Sequence, residues 1–575
     1  MMYNTRQRYH SYLDMGRLFS LKIILLLIVI TGFFLRVYQI DRNPPALSWD
    51  EVSIGYNAYT ILKTGRDEHG RFMPLDTFVA YGDYKPPLAI YVTVPFVALF
   101  GLNELAIRLP SALFGAGTIF LTYYLVNEFI VVFVRKTKKE HVADSFRWLP
   151  ILSSALLAIS PWHINLSRAG FEANIALFLV VLGVFLLLQA LSNYKYWLIA
   201  WLPFVAAAYT FNSSRYFVPM IGLLFCIWWW QVIRKNLKYF AVGVVIAGIT
   251  MIPIIPHLLS KEARLRFDEV NIFTDSSVVV TSNMRIAQEN NSVISKIIDN
   301  RRVGFARSFL IHFFDNLQPD FLFIKGDGNP KFSIQDVGQL YFFEAPFLVI
   351  GIFALLLTYP QFAVFLLFWL VFAIIPAATA RETPHALRIL NSLPTWQIFV
   401  AFGILRSVHF VSQINVKKTI LRNLFIILVI GLYGFGITYY LYEYYHHYPT
   451  EYSGEWQYGY KQALARIFPI ADKYDQVVIS DSIGRPYMYT LFYTKTDPNV
   501  LFRTINSSFD AAGFYHVYGF AKYSFPLTLP SKIEPRTLYI WDAGSAPHGA
   551  RVIDTIHLLN GNPVLEIFDS GHVKI

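Results

Sequence analysis

At 575 residues, 55% hydrophobic, 17% aromatic and only 15% charged, the chain is far too apolar for a soluble enzyme of this size, which carries about 25% charge. Its net charge of +11 collects in short basic clusters between apolar runs, so the balance reflects membrane topology and no nucleic-acid partner is expected. The single cysteine, Cys226, excludes an intrachain disulfide and a thiolate metal site.

Arg6, Arg8, Arg17 and Lys22 precede the apolar run 23–34, which continues to Ile40 without a small-residue cleavage site. This reads as a retained signal-anchor helix, about 20–41, with its basic side in the cytoplasm. The first outer loop, 42–107, follows. Within it Pro87–Gly101 is apolar but about 15 residues long, short of the roughly 20 that a spanning helix needs, and reads as a juxtamembrane helix. Leaving it out of the span count puts Arg135, Lys136, Lys138 and Lys139 inside, together with Arg234, Lys235 and Lys238 and with Lys417, Lys418 and Arg422.

Further spans are then expected at about 107–134, 148–165, 173–192, 196–212, 215–233, 238–257, 340–358, 361–379, 388–406 and 420–441, about eleven in all, with the N-terminus inside and the C-terminus outside. The long outer loop is 257–340. The tail, 448–575, changes character: Glu455–Ile467 reads as an amphipathic helix, and Gln476–Ser480 and Arg536–Trp541 as buried strands. The fold class is therefore mainly α. It is a polytopic transmembrane helix bundle over 1–447, with outer-face juxtamembrane helices and a small C-terminal α/β domain on the extracytoplasmic side.

Chemistry is sought on the outer face. Asp50 and Glu51 are adjacent, so on a helix they point about 100° apart and at most one can face a given site. The alternative for either is a helix-start acid favoured by the helix dipole. Lys85 stands before Pro86 and Pro87, a rigid corner that suits a lipid phosphate; a snorkelling interfacial lysine is the alternative. Arg168, His385, Arg388, Arg215 and Arg381 put positive charge at outer boundaries, against the topological bias. Each arginine suits a phosphate or an internal ion pair with Glu172 or Glu382; the ion pair is favoured for Arg215 and Arg381, and both stay open for Arg168 and Arg388. No Asp-x-Asp, no phosphate-cradling glycine-lysine loop and no His-Glu-x-x-His occurs, so a metal-bound nucleotide sugar, nucleotide hydrolysis and zincin proteolysis lack support.

Asp50-Glu51, Lys85-Pro86-Pro87-Leu88, Arg108-Leu109-Pro110-Ser111, the Ser160-Pro161 and Arg168 turn, and Pro384-His385-Ala386-Leu387-Arg388 occur in order at topologically matching places. In this the segment 20–440 resembles the C-type superfamily of polytopic glycosyltransferases, in the family 39-like branch of protein O-mannosyltransferases and lipid A aminoarabinose transferases. The resemblance implies a glycosyltransferase moving a sugar from a polyprenyl-phosphate donor to an acceptor hydroxyl on the outer face of the plasma membrane, with inversion. It makes Asp50 the catalytic base, with Glu51 beside it, and Lys85, with Arg168, Arg388 and His385, the holder of the donor phosphate. Glu172 stands where the family often has a second carboxylate. No cofactor is expected: some relatives carry a metal-ligating glutamate before the lysine, and Tyr84 here argues against a divalent metal. The acceptor, whether protein, lipid or polysaccharide, stays open. The rival readings are a polymerase or ligase using a lipid-pyrophosphate oligosaccharide, and a flippase or transporter of a lipid-linked anion.

Overall fold

The computed structural model describes residues 15–134, 143–413, 418–510 and 514–571; the basic cluster 135–139 and Lys417, on which the expected orientation partly rests, lie outside the described residues. Helix α1 (Met15–Val37) leads into the loop expected on the outer face and into α2 (Trp49–Thr64). A hairpin follows, β1 (Phe78–Ala80) and β2 (Asp83–Lys85), turned by Tyr81 at φ 60° and Gly82 at φ 93°. Two successive positive φ values are what a two-residue hairpin of this hand requires. Then come α3 (Leu88–Phe100), α4 (Glu104–Phe129), α5 (Ala143–Ala158), α6 (Pro161–Arg168) and α7 (Glu172–Ala190).

Among the described residues six helices are long and apolar enough to cross a membrane: Ser20–Val37, Glu104–Val134, Glu172–Ala190, Trp230–Leu258, Pro360–Ala378 and Thr419–Tyr452. A seventh crossing is made if Phe146–Ala158 and Pro161–Arg168, bent by 52°, act as one. By this measure the eleven expected spans are not reached. The stretch expected to span at 196–212 is a one-turn helix, Tyr194–Leu198, and a seven-residue helix, Leu202–Ala208, opened by Pro203. That expected at 340–358 is the 15-residue α8 (Glu344–Thr358), and that at 388–406 is α9 (Thr395–Val411), 17 residues. Apolar runs in a bundle this large answer to burial against protein as well as to lipid, and hydropathy does not separate the two. Helix α3, at 13 residues, is short as expected for Pro87–Gly101.

Packing decides several local choices. The bend after α5 frees carbonyls at its C-terminus, and Arg36, fully buried in the last turn of α1, donates to those of Ala158 (3.0 Å) and Leu157 (3.3 Å) and meets His163 Nδ1 at 2.8 Å. Helices α8 and α9 cross backbone to backbone: a Cβ on Gly351 would collide with the carbonyl of Phe399, and one on Gly403 with that of Phe347. Gly403→Ala is accordingly expected to destabilise the bundle by about 1–3 kcal/mol, read as a lower thermal unfolding midpoint of the detergent-purified protein.

The long outer segment expected as loop is largely helical, with Lys261–Val270, Ser276–Gln288, Val293–Ile298 and Arg301–Asp315 each capped by the side chain of Ser260, Asp275, Ser292 or Asn300. An open, apolar groove of about 620 Å³ runs past Phe273, Arg302, Phe305 and Phe309 and shares no residue with the site described below. From the C-terminal end of α10 (Lys418–Tyr442) a column of rings continues into the following turns: Tyr440 on Tyr444, Tyr444 on Tyr448 at 5.4 Å, and Tyr448 beside Tyr452.

The tail forms α11 (Tyr460–Ile467), β3 (Gln476–Ile479), α12 (Pro486–Tyr493), β4 (Asn506–Phe509), β5 (Tyr515–Phe520), β6 (Tyr523–Ser524), β7 (Thr537–Asp542), β8 (Arg551–His557) and β9 (Pro563–Asp569). The seven strands are ordered β4-β5-β6-β3-β7-β9-β8. Central β3 runs parallel to β6 and β7, and the remaining pairs are antiparallel. The sheet does not stand alone. Val477, Ile479, Met488, Leu538 and Ile540 share one apolar core with Val52, Tyr56, Phe78 and Ile90 of the first outer loop. Tyr489 Oη donates to Leu47 O (2.9 Å), Tyr56 Oη donates to Thr496 O (3.0 Å), and Lys461 pairs with Glu104 (2.6 Å).

Candidate active site

The two adjacent acids part company at the start of α2. Ser48 is the N-cap, and with Glu51 three residues on it forms a reciprocal capping box: Ser48 Oγ accepts from the Glu51 amide, and Glu51 Oε2 accepts from the Ser48 amide at 2.8 Å. That turns Glu51 inward. It is fully buried, bonded to Arg108 Nε at 2.8 Å, and accepts from the Gly170 amide at 2.9 Å. Gly170 is needed for this approach, since a Cβ there would press on Ile107 at 3.1 Å and on Glu51 Cγ at 3.3 Å. Arg108, also fully buried, spends its other donors on the carbonyls of Ile40, Pro44 and Ala46. Of the two acids, at most one of which was expected to face the site, Glu51 is the one turned inside, as a buried ion pair with Arg108, which tells against the catalytic place beside Asp50 that the resemblance implied for it.

Asp50, one residue earlier and about 100° around the helix, faces outward with 35% of its side chain exposed. Its Oδ1 lies 2.7 Å from Lys85 Nζ, so the two residues expected to meet across 35 positions of sequence do meet. The hairpin supplies the reach: β2 ends on Lys85, Pro86 and Pro87 follow, and α3 begins. Asp83, on the same strand, stands 3.8 Å from Lys85 Nζ. Burial alone would push the Lys85 ammonium down, but the carboxylates of Asp50, Glu172 and Asp83 outweigh it and hold the group above its ordinary value. Glu172, at the first turn of α7, therefore belongs to the field around Lys85. Tyr84 turns away from this cluster and lies against the His257 ring at 5.6 Å.

The remaining expected cations are placed differently. Arg168 is fully buried, donating to Tyr444 Oη (3.1 Å) and to the carbonyls of Leu35 (2.8 Å), Tyr38 (2.7 Å) and Asn43 (2.9 Å), between the rings of Tyr444 and Tyr445. It ties the exit of α1 to the tyrosine column, fully buried among these partners. His385 is buried and stacked on Phe332 at 4.9 Å; burial and then the Arg388 charge keep it well below its usual range, so it is neutral at pH 7 and offers no positive charge. Arg388 keeps 21% side-chain exposure and leans on Glu382 at 3.6 Å. Beneath both lies Asp327, pushed up to about 6 by burial and partly restrained by the amides of Asn329 and Ala386. Arg215 and Arg381, expected in ion pairs, donate instead to carbonyl oxygens, of Ala208 and Asn271 respectively.

Among the described residues no three His, Cys, Asp or Glu side chains gather as a metal-ligand set. Four side chains near Asp50 were not singled out from sequence. Trp49 is half-exposed, with Lys331 Nζ over its ring at 4.2 Å. Tyr81 donates to Trp49 O at 2.8 Å and carries the Arg485 guanidinium over its ring at 5.0 Å. Lys331 and Arg485 are separated from Asp50 by some hundreds of residues, and no local pattern announces them.

Residues 26–265, which hold α2, the hairpin and α7, match the family described as dolichyl-phosphate-mannose-protein mannosyltransferase. Two proteins of Bacillus subtilis (strain 168), YycA and YkcB, whose names mark them as candidate mannosyltransferases, are 22% identical over 200 residues and 24% identical over 232, or 34% and 40% of this chain. The matches span 26% and 29% of those relatives' lengths. Among solved structures, ArnT from Cupriavidus metallidurans bound to undecaprenyl phosphate superposes over 98% of this chain and 100% of its own, at TM-score 0.50 and 11% identity. Its apo state does so over 96% and 98%, at 0.51 and 13%. The chain is thus similar to the dolichyl-phosphate-mannose-protein mannosyltransferase family over residues 26–265, and shares its overall fold with ArnT.

Proposed function

We propose that the protein transfers a single glycosyl group from a polyprenyl-monophosphate donor to an acceptor hydroxyl, on the extracytoplasmic face of the plasma membrane, with inversion at the anomeric carbon. The observation that carries this reading is the contact of Asp50 with Lys85 at a partly open rim, inside the family-matched segment. Asp50 accepts the proton of the acceptor hydroxyl as its oxygen attacks the anomeric carbon. The bond from that carbon to the phosphate oxygen breaks, and the polyprenyl phosphate leaves with the electron pair. Lys85 meets the negative charge that develops on the departing oxygen. In the substrate-free arrangement Lys85 is the counter-ion of Asp50; a donor phosphate competes for the ammonium, and each bond it takes frees the carboxylate for the acceptor. Arg388, still partly exposed, is the second cation available to the donor. No metal is invoked in this step.

The test is reconstitution of the purified chain with a radiolabelled polyprenyl-monophosphate sugar and a membrane-envelope extract as acceptor. Polyprenyl phosphate should be released in step with label transfer, EDTA should leave the rate unchanged, and Lys85→Ala should weaken donor binding. Turnover of a lipid-pyrophosphate oligosaccharide in place of the monophosphate donor would sink the reading in favour of a polymerase or ligase.

A further inference from the structure

We infer that the rim beside Asp50 holds a binding site for an anionic group on the acceptor, a phosphate or a carboxylate, built by Lys331 over Trp49 and Arg485 over Tyr81. This deepens the glycosyltransferase reading and rests on it.

The two cations come from parts of the chain that the first outer loop meets only in the folded state. Lys331 lies in the outer segment before α8, and Arg485 is the N-cap of α12 in the tail. The aromatic supports are themselves linked, since Tyr81 donates to the carbonyl of Trp49, and Trp49 immediately precedes Asp50. Gly484, at φ 89°, sets the tail backbone against the Trp49 ring, with a Cβ there falling 3.5 Å from it. Arg485 follows at φ 59°, an uncommon conformation for a side-chain-bearing residue, with its amide held by Asp481 Oδ1 at 2.7 Å. The loop thus delivers the guanidinium to the Tyr81 face.

Neither cation is spent inside the protein. Among the described residues neither Lys331 Nζ nor the Arg485 guanidinium has a carboxylate within salt-bridge distance or a hydrogen-bond partner; each has only the ring beneath it. Of the nearby acids, Asp481 holds the Arg485 amide and Glu455 comes within salt-bridge distance of neither cation. Glu51 is saturated by Arg108, Ser48 and Gly170, and Asp50 is paired with Lys85. Lys331 is only 9% exposed, and its burial depresses the ammonium, which the carboxylates of Asp50, Glu455 and Glu51 offset in part. A buried ammonium that has lost water without gaining an anion is under-coordinated, and an incoming anion supplies what it lacks. A point-charge lysine and a forked arginine together suit an oxyanion with several acceptor atoms. A ring face under each cation adds attraction without neutralising it.

The geometry also says why such a site would be useful. The donor brings a phosphate to a rim where Asp50, Asp83 and Glu172 already surround one ammonium. An acceptor with its own negative charge would be repelled there unless separate cations received it. Lys331 and Arg485, reached from the side of the tail, give that charge its own place and fix the hydroxyl relative to Asp50.

The experiment titrates the full-length protein, in phosphatidylcholine nanodiscs, with sn-glycerol 3-phosphate and methyl glucuronide against their neutral counterparts glycerol and methyl glucoside, reading tryptophan emission. Binding is measured without sugar transfer, so its outcome is separate from that of the activity assay. Anionic probes should bind at least about tenfold more tightly than neutral ones, and Lys331→Met and Arg485→Gln should each weaken them by about tenfold. The neutral probes should be unaffected, and saturation with undecaprenyl phosphate should leave the anionic probe bound. Preference for the glycerol phosphate assigns a phosphate-bearing acceptor; preference for the glucuronide assigns a uronate-bearing one. Equal affinity for charged and neutral probes in the wild type overturns the inference whatever the variants do. So does displacement of the probe by undecaprenyl phosphate, which would return the anion to the donor subsite.

Discussion

Asp50→Asn is expected to lower sugar transfer by about 10²–10⁴-fold, the range over which a positioned general base contributes, while leaving polyprenyl-phosphate binding and thermal stability close to wild type. The amide keeps the shape of the carboxylate at the first turn of α2, and Lys85 retains Asp83 at 3.8 Å as a counter-ion. Asp50 takes no part in the capping box, so its neutralisation does not unwind the helix start. Binding of the lipid phosphate should if anything improve, because the ammonium is released from a competitor. The paired measurement is single-turnover transfer and equilibrium binding of the lipid on the same preparation. Wild-type turnover in this variant would remove Asp50 from the chemistry, and loss of both transfer and folding would make it structural.

The second large effect falls on its neighbour and is of another kind. Glu51→Ala or Arg108→Ala each leaves one fully buried charge without its partner, which costs about 3–5 kcal/mol. Removing Glu51 also orphans the amides of Ser48 and Gly170, and removing Arg108 orphans the carbonyls of Ile40, Pro44 and Ala46. Both single variants should therefore lose folded, monodisperse protein. The double variant should be less damaged than the sum of the two, because no lone charge remains, yet still weaker than wild type because the orphaned backbone groups persist. Size-exclusion profiles and unfolding midpoints in detergent decide the matter. An inactive Glu51→Ala protein with a wild-type midpoint would give Glu51 back to catalysis.

The contrast between these two residues shows what could be read in the primary structure and what could not. Adjacent acids on one helix were legible as residues that cannot both face a site, but which one turns in was not read; the Ser48-x-x-Glu51 capping box decides it. The hairpin that brings Lys85 back to Asp50 was not read in advance, since Tyr81-Gly82 lacks the Asn-Gly or Asp-Gly pair that marks such a turn. Arg168 was not legible, because an arginine at an outer boundary looks the same whether it awaits a phosphate or fills a cage of carbonyls; only the chain crossing at Leu35, Tyr38 and Asn43 decides. The expected span count was not reached among the described residues for a related reason, since Trp197 and its neighbours are apolar and buried against protein. The helices of the outer segment carried Ser, Asp and Asn caps that a reading centred on hydropathy passes over. Lys331 and Arg485 reach the rim by tertiary contact alone.

The capping box also bears on the genetics of this stretch. Aspartate and glutamate codons differ only at the third base, so either acid turns into the other by a single nucleotide change that substitution matrices score as nearly neutral. Here neither exchange is neutral. An aspartate at 51 is one methylene too short to reach back to the Ser48 amide and still hold Arg108, and a glutamate at 50 carries its carboxylate past the 2.7 Å contact with Lys85. The order of the two letters is thus information that neither their composition nor their charge contains.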